Sequence, residues 1–161
     1  IIAVDESGSM LSSIIHSAVM AGIFAKLPML TTHLIIFDTA VVDLTGRMDD
    51  PVETLMSVQL GGGTNIAKAM AYCQSLISQP RRTMVVLVSD LCEGGSRQEL
   101  YRTCHDIVES GALLIALTAL NEQASPEYDR TTAQTLADLG AHVGAMTPEH
   151  LANFMAGIMR T

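Results

Sequence analysis

The sequence predicts an α/β protein: a doubly wound, mostly parallel six-stranded sheet with helices on both faces. Three observations predict it. Short β-branched runs alternate with helical patterns along the chain. Several runs are apolar without a break, above all Met84-Val85-Val86-Leu87-Val88, as in a strand covered on both faces. Two runs, 33–37 and 41–44, are joined only by Asp38-Thr39-Ala40. That is too short for a parallel crossover, so these two form a hairpin and one edge strand runs antiparallel.

The first strand is 1–4, an apolar run that stops at Asp5. A helix over 11–25 follows, with Leu11, Ile14, Ile15, Ala18, Val19 and Ile23 at helical spacing as its core stripe. Met20 and Phe24 make its other side apolar too, which predicts a helix sandwiched centrally. After the hairpin come helices over 52–59 and 66–77, then the buried strand 84–89. Helix 98–109, strand 113–117, helix 131–139 and strand 142–144 continue the alternation. The last helix, 148–159, has Thr147 as cap, Pro148 at its first position and a stripe of Leu151, Phe154, Met155, Ile158 and Met159. No repeat, linker or low-complexity segment interrupts the pattern, so residues 1–161 read as one domain. The chain starts at Ile1, without Met and already inside a strand, and is expected to be a piece of a longer protein.

Of the 161 residues 48% are hydrophobic but only 4% aromatic, so the core is aliphatic, helped by ten Met. Charged residues are only 16%, which hints at surface covered by a partner, although a small doubly covered sheet accounts for most of that figure. A net charge of −8 argues against nucleic acid and against anionic membrane surfaces. Arg81-Arg82 reads as a solvated turn. No apolar run is long enough to span a bilayer. Cys73, Cys92 and Cys104 form no metal-type pair; Cys73 and Cys104 fall on apolar helix faces as buried thiols, which points to a reducing compartment, and the cytoplasm is the expectation. His16, His33, His105, His142 and His150 are scattered without zinc spacing.

Chemistry concentrates where strands end. Asp5, Ser7 and Ser9 are hard oxygen donors directly after the first strand, and Asp90 directly follows the most hydrophobic one. Doubly wound sheets bind ligands outside the carboxyl ends of their strands, where the winding reverses. If Asp5 and Asp90 meet there, they repel unless a cation separates them. Hard oxygens suit Mg²⁺, Mn²⁺ or Ca²⁺ and suit zinc poorly. The loop Gly61-Gly62-Gly63-Thr64-Asn65 brings the Thr64 hydroxyl toward the same point, its glycines leaving no side chain in the way. Asp and Ser also make ordinary turns and helix caps. A phosphate cradle is a further use of three glycines, but no GxxxxGK[ST] pattern is present. Glu93 reads more readily as a solvated rim carboxylate than as part of the site.

Asp5-x-Ser7-x-Ser9, then Thr64, then Asp90 resembles, in order and spacing, the metal-ion-dependent adhesion site (MIDAS) of von Willebrand factor A (VWA) domains, and the resemblance spans essentially the whole chain. It implies that Ser7 and Ser9 bind a divalent metal directly. Thr64 does so directly or through water, and Asp5 and Asp90 act largely through water. It also implies that an acidic side chain of a protein partner completes the coordination, and that the last helix moves with ligation. Within that family, Asp5-Glu6-Ser7-Gly8-Ser9-Met10, Gly61-Gly62-Gly63-Thr64 and Ser89-Asp90-Leu91-Cys92-Glu93-Gly94-Gly95 look most like bacterial CoxE-like proteins. These are similar to the A-domain partners of MoxR-type AAA+ ATPases, which act as chaperones or in cofactor and metal insertion. Glu6 departs from the pattern, where many members carry a small or uncharged residue. The expectation is a binding module with Mg²⁺ (or Mn²⁺ or Ca²⁺) as cofactor, and not an enzyme. The alternative is a metal-dependent hydrolase or phosphotransferase using Asp5 or Ser7 as nucleophile; it lacks a candidate general base beyond the carboxylates themselves.

Overall fold

Apolar runs flanked by donors and glycines become strands because a backbone buried on both faces must pair its amides with neighbouring strands. In the computed structural model, which describes residues 1–27, 30–47, 50–58, 60–118, 120, 127–145 and 147–160, these strands are β1 (Ile2–Asp5), β2 (Leu34–Phe37), β3 (Val41–Asp43), β4 (Met84–Ser89), β5 (Leu113–Thr118) and β6 (His142–Gly144). The helices are α1 (Ile14–Ala25), α2 (Pro51–Ser57), α3 (Ile66–Ser75), α4 (Arg97–Glu109), α5 (Arg130–Asp138) and α6 (Pro148–Met159). The predicted helix end at Gln59, and the stripe side chains of Leu11 and Met159, lie outside what is described.

The sheet has six strands in the order β3-β2-β1-β4-β5-β6. All neighbours are parallel except β2 and β3, whose hairpin pairs Phe37 with Val41 and leaves β3 antiparallel at the edge, as the short connection requires. The winding reverses between β1 and β4, which pair Val4 with Val88. The carboxyl ends of these two strands therefore open side by side.

Strand alternation sorts the core into two layers. Ala3, Phe37, Val85, Leu87 and Leu114 pack with Met70, Cys73, Leu100, Cys104 and Leu136 from α3, α4 and α5. Ile2, Val4, Ile36, Val86 and Leu117 pack with Ala18, Met20, Leu55, Leu151 and Met155 from α1, α2 and α6. Cys73 and Cys104 are fully buried, as their helix positions imply, and burial pushes both thiols up to about 12. Cys104 is buried beside an exposed His105, so the two do not form a nucleophile–base pair.

The first helix differs from its prediction in two ways. Residues Gly8–Ser13 wind as a 3₁₀ helix, and the α-helix begins only at Ile14. Gly and three Ser supply little helix propensity, and their hydroxyls compete for backbone donors, so this stretch takes the tighter turn that leads out of β1. Nor do Ile15 and Val19 face the core: they are 68% and 38% exposed, whereas Ser17, Met20, Ala21 and Phe24 are buried. The helix is apolar nearly all round, so spacing alone did not choose a face. Packing against the sheet, α2 and α6 chose it, and left one arc outside rather than sandwiching the helix centrally.

Candidate functional site

The site is built where three loops converge on the β1/β4 junction. Asp5 is the last residue of β1 and is 1% exposed. Its Oδ1 accepts the Ser7 amide at 2.9 Å and its Oδ2 accepts the Ser89 hydroxyl at 2.7 Å. The first bond turns the chain sharply out of the sheet. The second ties β1 to the end of β4. Burial raises the Asp5 pKa against the lowering effect of its Ser7 and Ser89 hydrogen bonds, and repulsion from Asp90 raises it further. Asp5 and Asp90 thus close neighbouring parallel strands, near enough for the charge of one to act on the other.

Ser7 is buried and Ser9 exposed, with their hydroxyl oxygens 3.3 Å apart. Two ligands at right angles on a Mg²⁺ ion, each ~2.1 Å from it, stand about 3.0 Å apart. The hydroxyl pair thus suits adjacent positions on a small hard cation. Asp90 is 6% exposed and its Oδ1 accepts the Cys92 amide at 3.1 Å. Leu91, fully buried, takes a left-handed φ of 60°, a conformation that a branched side chain adopts at a cost. Its amide bonds the Ser89 hydroxyl at 2.9 Å, so one serine anchors both Asp5 and the loop beyond Asp90.

The glycine loop docks on both neighbours. Gly61 has φ +74°, and its amide donates to the Glu6 carbonyl at 2.9 Å, while the Gly8 amide donates to the Gly62 carbonyl at 2.9 Å. Gly62 lies so close to Asp38 that a Cβ there would stand 2.6 Å from its Oδ2. Thr64, half-buried, is held through its backbone carbonyl by the Gly94 amide at 3.1 Å. The five predicted donors thus lie at the end of β1 (Asp5), in the turn and 3₁₀ helix that follow it (Ser7, Ser9), in the glycine loop (Thr64) and directly after β4 (Asp90). Among the described residues no three His, Cys, Asp or Glu side chains gather as a metal-holding group, so a cation here would rely on hydroxyls beside two carboxylates. Hydroxyl and carboxylate oxygens are the donor class of Mg²⁺, Mn²⁺ and Ca²⁺, and the residues present fit such an ion.

Two carboxylates behave differently from their sequence reading. Glu93 is half-buried and structural: Oε1 accepts the Ile66 amide at 3.0 Å and the Gly95 amide at 3.0 Å, and Oε2 accepts the Ala67 amide at 2.8 Å. Asn65 Oδ1 takes the Lys68 amide at 3.0 Å. The opening amides of α3 are therefore already satisfied from within the chain, which leaves little for a phosphate. The three-residue offset of Glu93 from Asp90 gave no sign of this, because the Ile66 and Ala67 amides are distant in sequence.

Glu6 is 4% exposed, and neither carboxylate oxygen has a hydrogen-bond partner of ordinary geometry. It lines a cavity beneath α1 and α2 with Met10, Ile14, Ser17 and Leu55, and the buried Ser17 hydroxyl is also unpartnered. Burial raises its pKa to about 7; the nearby Leu60 amide draws it down, while Asp38 and Asp5 push it up. His16 is half-buried, its Nε2 lacks a partner, and burial lowers its pKa.

Comparison with known proteins agrees with the fold. The chain is 53% identical over 156 residues to the uncharacterized protein YehP of Escherichia coli (strain K12), covering 97% of this chain and 41% of that one; it spans less than half the length of this curated relative. An aerotolerance-related membrane protein from Bacteroides fragilis NCTC 9343 superposes with a TM-score of 0.71 at 14% identity, over 94% of this chain and 92% of that one. The manganese-loaded Plasmodium vivax TRAP protein superposes with a TM-score of 0.63 at 14% identity, over 83% of this chain and 61% of that one. At such identities these two structures speak for the fold alone. A family model described as a VWA domain containing CoxE-like protein matches residues 1–155, and the chain belongs to that family.

Proposed function

We propose that this domain is a divalent-metal-dependent protein-binding module in which Ser7, Ser9, Thr64, Asp5 and Asp90 hold Mg²⁺, or Mn²⁺ or Ca²⁺, and a partner's acidic side chain completes the coordination. VWA domains are in general non-catalytic interaction modules, and family membership supports that coarser part directly. The observation that carries the metal reading is the pair of hydroxyls 3.3 Å apart beside a buried Asp5, whose strand pairs with the one that leads into Asp90. The manganese-loaded TRAP protein, which shares the fold, lends the reading support by analogy. When bound, the cation supplies a Lewis-acid site for a carboxylate oxygen. The chain's own part is to pre-order the donors. Ser89 and the Ser7 amide hold Asp5, the Gly94 amide holds Thr64, and the Cys92 amide holds Asp90.

The hydrolase or phosphotransferase alternative gains nothing from this geometry. Asp5 is almost wholly buried with both oxygens accepting hydrogen bonds, a poor posture for a nucleophile. The partner we propose is an AAA+ ATPase of the MoxR type, in a chaperone or cofactor- and metal-insertion system, as the CoxE-like resemblance implies. Among the described residues no helix is long and apolar enough to cross a membrane, and the two buried thiols fit a reducing compartment; we propose the cytoplasm.

The test is a pull-down with a MoxR-type AAA+ ATPase as the candidate partner, run with Mg²⁺ and with chelator, on wild type and Thr64→Ala. Thr64 lies in a loop, so the variant should fold and lose the partner. Capture that survives both EDTA and Thr64→Ala rejects the metal-bridged mechanism.

A further inference from the structure

Thr64 and Asp90 belong to loops 26 positions apart, and neither side chain fixes the other directly. Between them runs one connected path. The Glu93 carboxylate sits on the Ile66, Ala67 and Gly95 amides, the Gly94 amide bonds the Thr64 carbonyl, and a Cβ on Gly94 would stand 2.7 Å from that carbonyl oxygen. On the near side, the Cys92 amide bonds the Asp90 carboxylate and the Glu93 amide bonds the Leu91 carbonyl. The α3 amino terminus carries partial positive charge, so a carboxylate bonded to its first amides is held more firmly than a neutral cap.

We propose that Glu93 is a positioning residue of the site: seated on the first amides of α3, it holds the loop after Asp90 against the loop carrying Thr64, so that the two donors keep one separation. The inference rests on the metal-binding reading above. Glu93 does not touch the cation; it acts through the Gly94–Thr64 bond and the turn back to Asp90. Loss of the carboxylate frees both loops to relax apart, and the ion then has to draw them together. The simpler role, a helix cap that stabilises α3 and nothing else, predicts a lower melting temperature with unchanged metal affinity.

The experiment is a Mn²⁺ titration followed by electron paramagnetic resonance on wild type, Glu93→Ala, Glu93→Gln and Asp50→Ala, with melting temperatures in chelator alongside. Asp50 caps α2 by accepting the Glu53 amide at 3.0 Å, and serves as a cap removed from this path. Substituting residues that orient metal ligands commonly costs ~10–100-fold in affinity. Glu93→Ala should weaken Mn²⁺ by at least about tenfold, with Glu93→Gln in between, since it keeps one acceptor oxygen and loses the charge. Asp50→Ala should melt lower with wild-type affinity. If Glu93→Ala does not fold, Glu93→Gln carries the test. Either Glu93 variant binding Mn²⁺ as wild type does, while melting lower, overturns the proposal and leaves the metal reading standing. A wild type that binds no Mn²⁺ overturns both.

Discussion

The Ser89 hydroxyl donates to Asp5 Oδ2 at 2.7 Å and accepts the Leu91 amide at 2.9 Å, so one buried side chain joins the ends of the two strands that flank the winding reversal. Ser89→Ala deprives a buried carboxylate oxygen and a buried amide of their partners together. Such a loss costs ~1–3 kcal/mol per orphaned group, so the melting temperature should fall by several degrees. Thermal unfolding in chelator reads this without interference from metal. A variant that melts with the wild type would mean that the hydroxyl does not bridge the strands.

Metal should stabilise the domain by relieving the repulsion between Asp5 and Asp90. With a Kd near millimolar, ~10 mM Mg²⁺ adds roughly 1.4 kcal/mol. For a chain of this size that raises the melting temperature by about 3–6 °C. Ser9→Ala is the cleanest control, because Ser9 is exposed and its loss opens no cavity. The variant should melt as wild type does in EDTA and show no response to Mg²⁺. Identical wild-type melting in Mg²⁺, Mn²⁺ and EDTA would remove the metal site.

Glu6 should make the metal-free domain less stable as the pH rises. Its pKa is raised from 4.5 to about 7 by burial, so between those values the unfolded chain releases a proton that the native state keeps. The contribution is fully present below pH 4.5 and lost as pH climbs to about 7. At ~1.4 kcal/mol per pH unit the loss is of order 3 kcal/mol. The raised Asp5 adds in the same direction. Glu6→Gln should flatten the Glu6 part: near wild type at pH 4, and clearly more stable at pH 8. Urea midpoints in chelator across that range test it, and a wild type whose stability climbs steadily from pH 5 to 8 contradicts it.

The last helix should respond to ligation. Leu151 and Met155 are buried against the α1 side of the sheet, while Phe154 is half-buried with its ring 5.7 Å from that of His142. Met and Leu, both unbranched at Cβ, slide in a groove with little loss of packing. Phe154→Ala should loosen α6 and shift partner affinity at a distance from the donors. Hydrogen exchange over Pro148–Met159, with and without Mg²⁺ plus an acidic peptide, measures it. Unchanged protection while the peptide binds makes the domain a rigid adaptor.

Much of this protein was legible in the sequence alone. Continuous apolar runs such as Met84–Ser89 demand cover on both faces, and a three-residue connection after Phe37 forces a hairpin, so class, strand count and the antiparallel edge followed. The places of Asp5, Ser7, Ser9 and Asp90 were readable because they follow directly where apolar strands stop, and that of Thr64 because it closes the glycine loop ahead of α3. Tertiary structure alone decided the rest. The buried face of α1 was hidden because Ile15 and Val19 are as apolar as Met20 and Phe24, so only the neighbouring layers could select between them. Glu93 became a clamp on α3, and Glu6 a buried acid, through contacts with residues distant in sequence. Local pattern records which side chains a segment offers; what each carboxylate meets depends on loops that come together only when the sheet closes between β1 and β4.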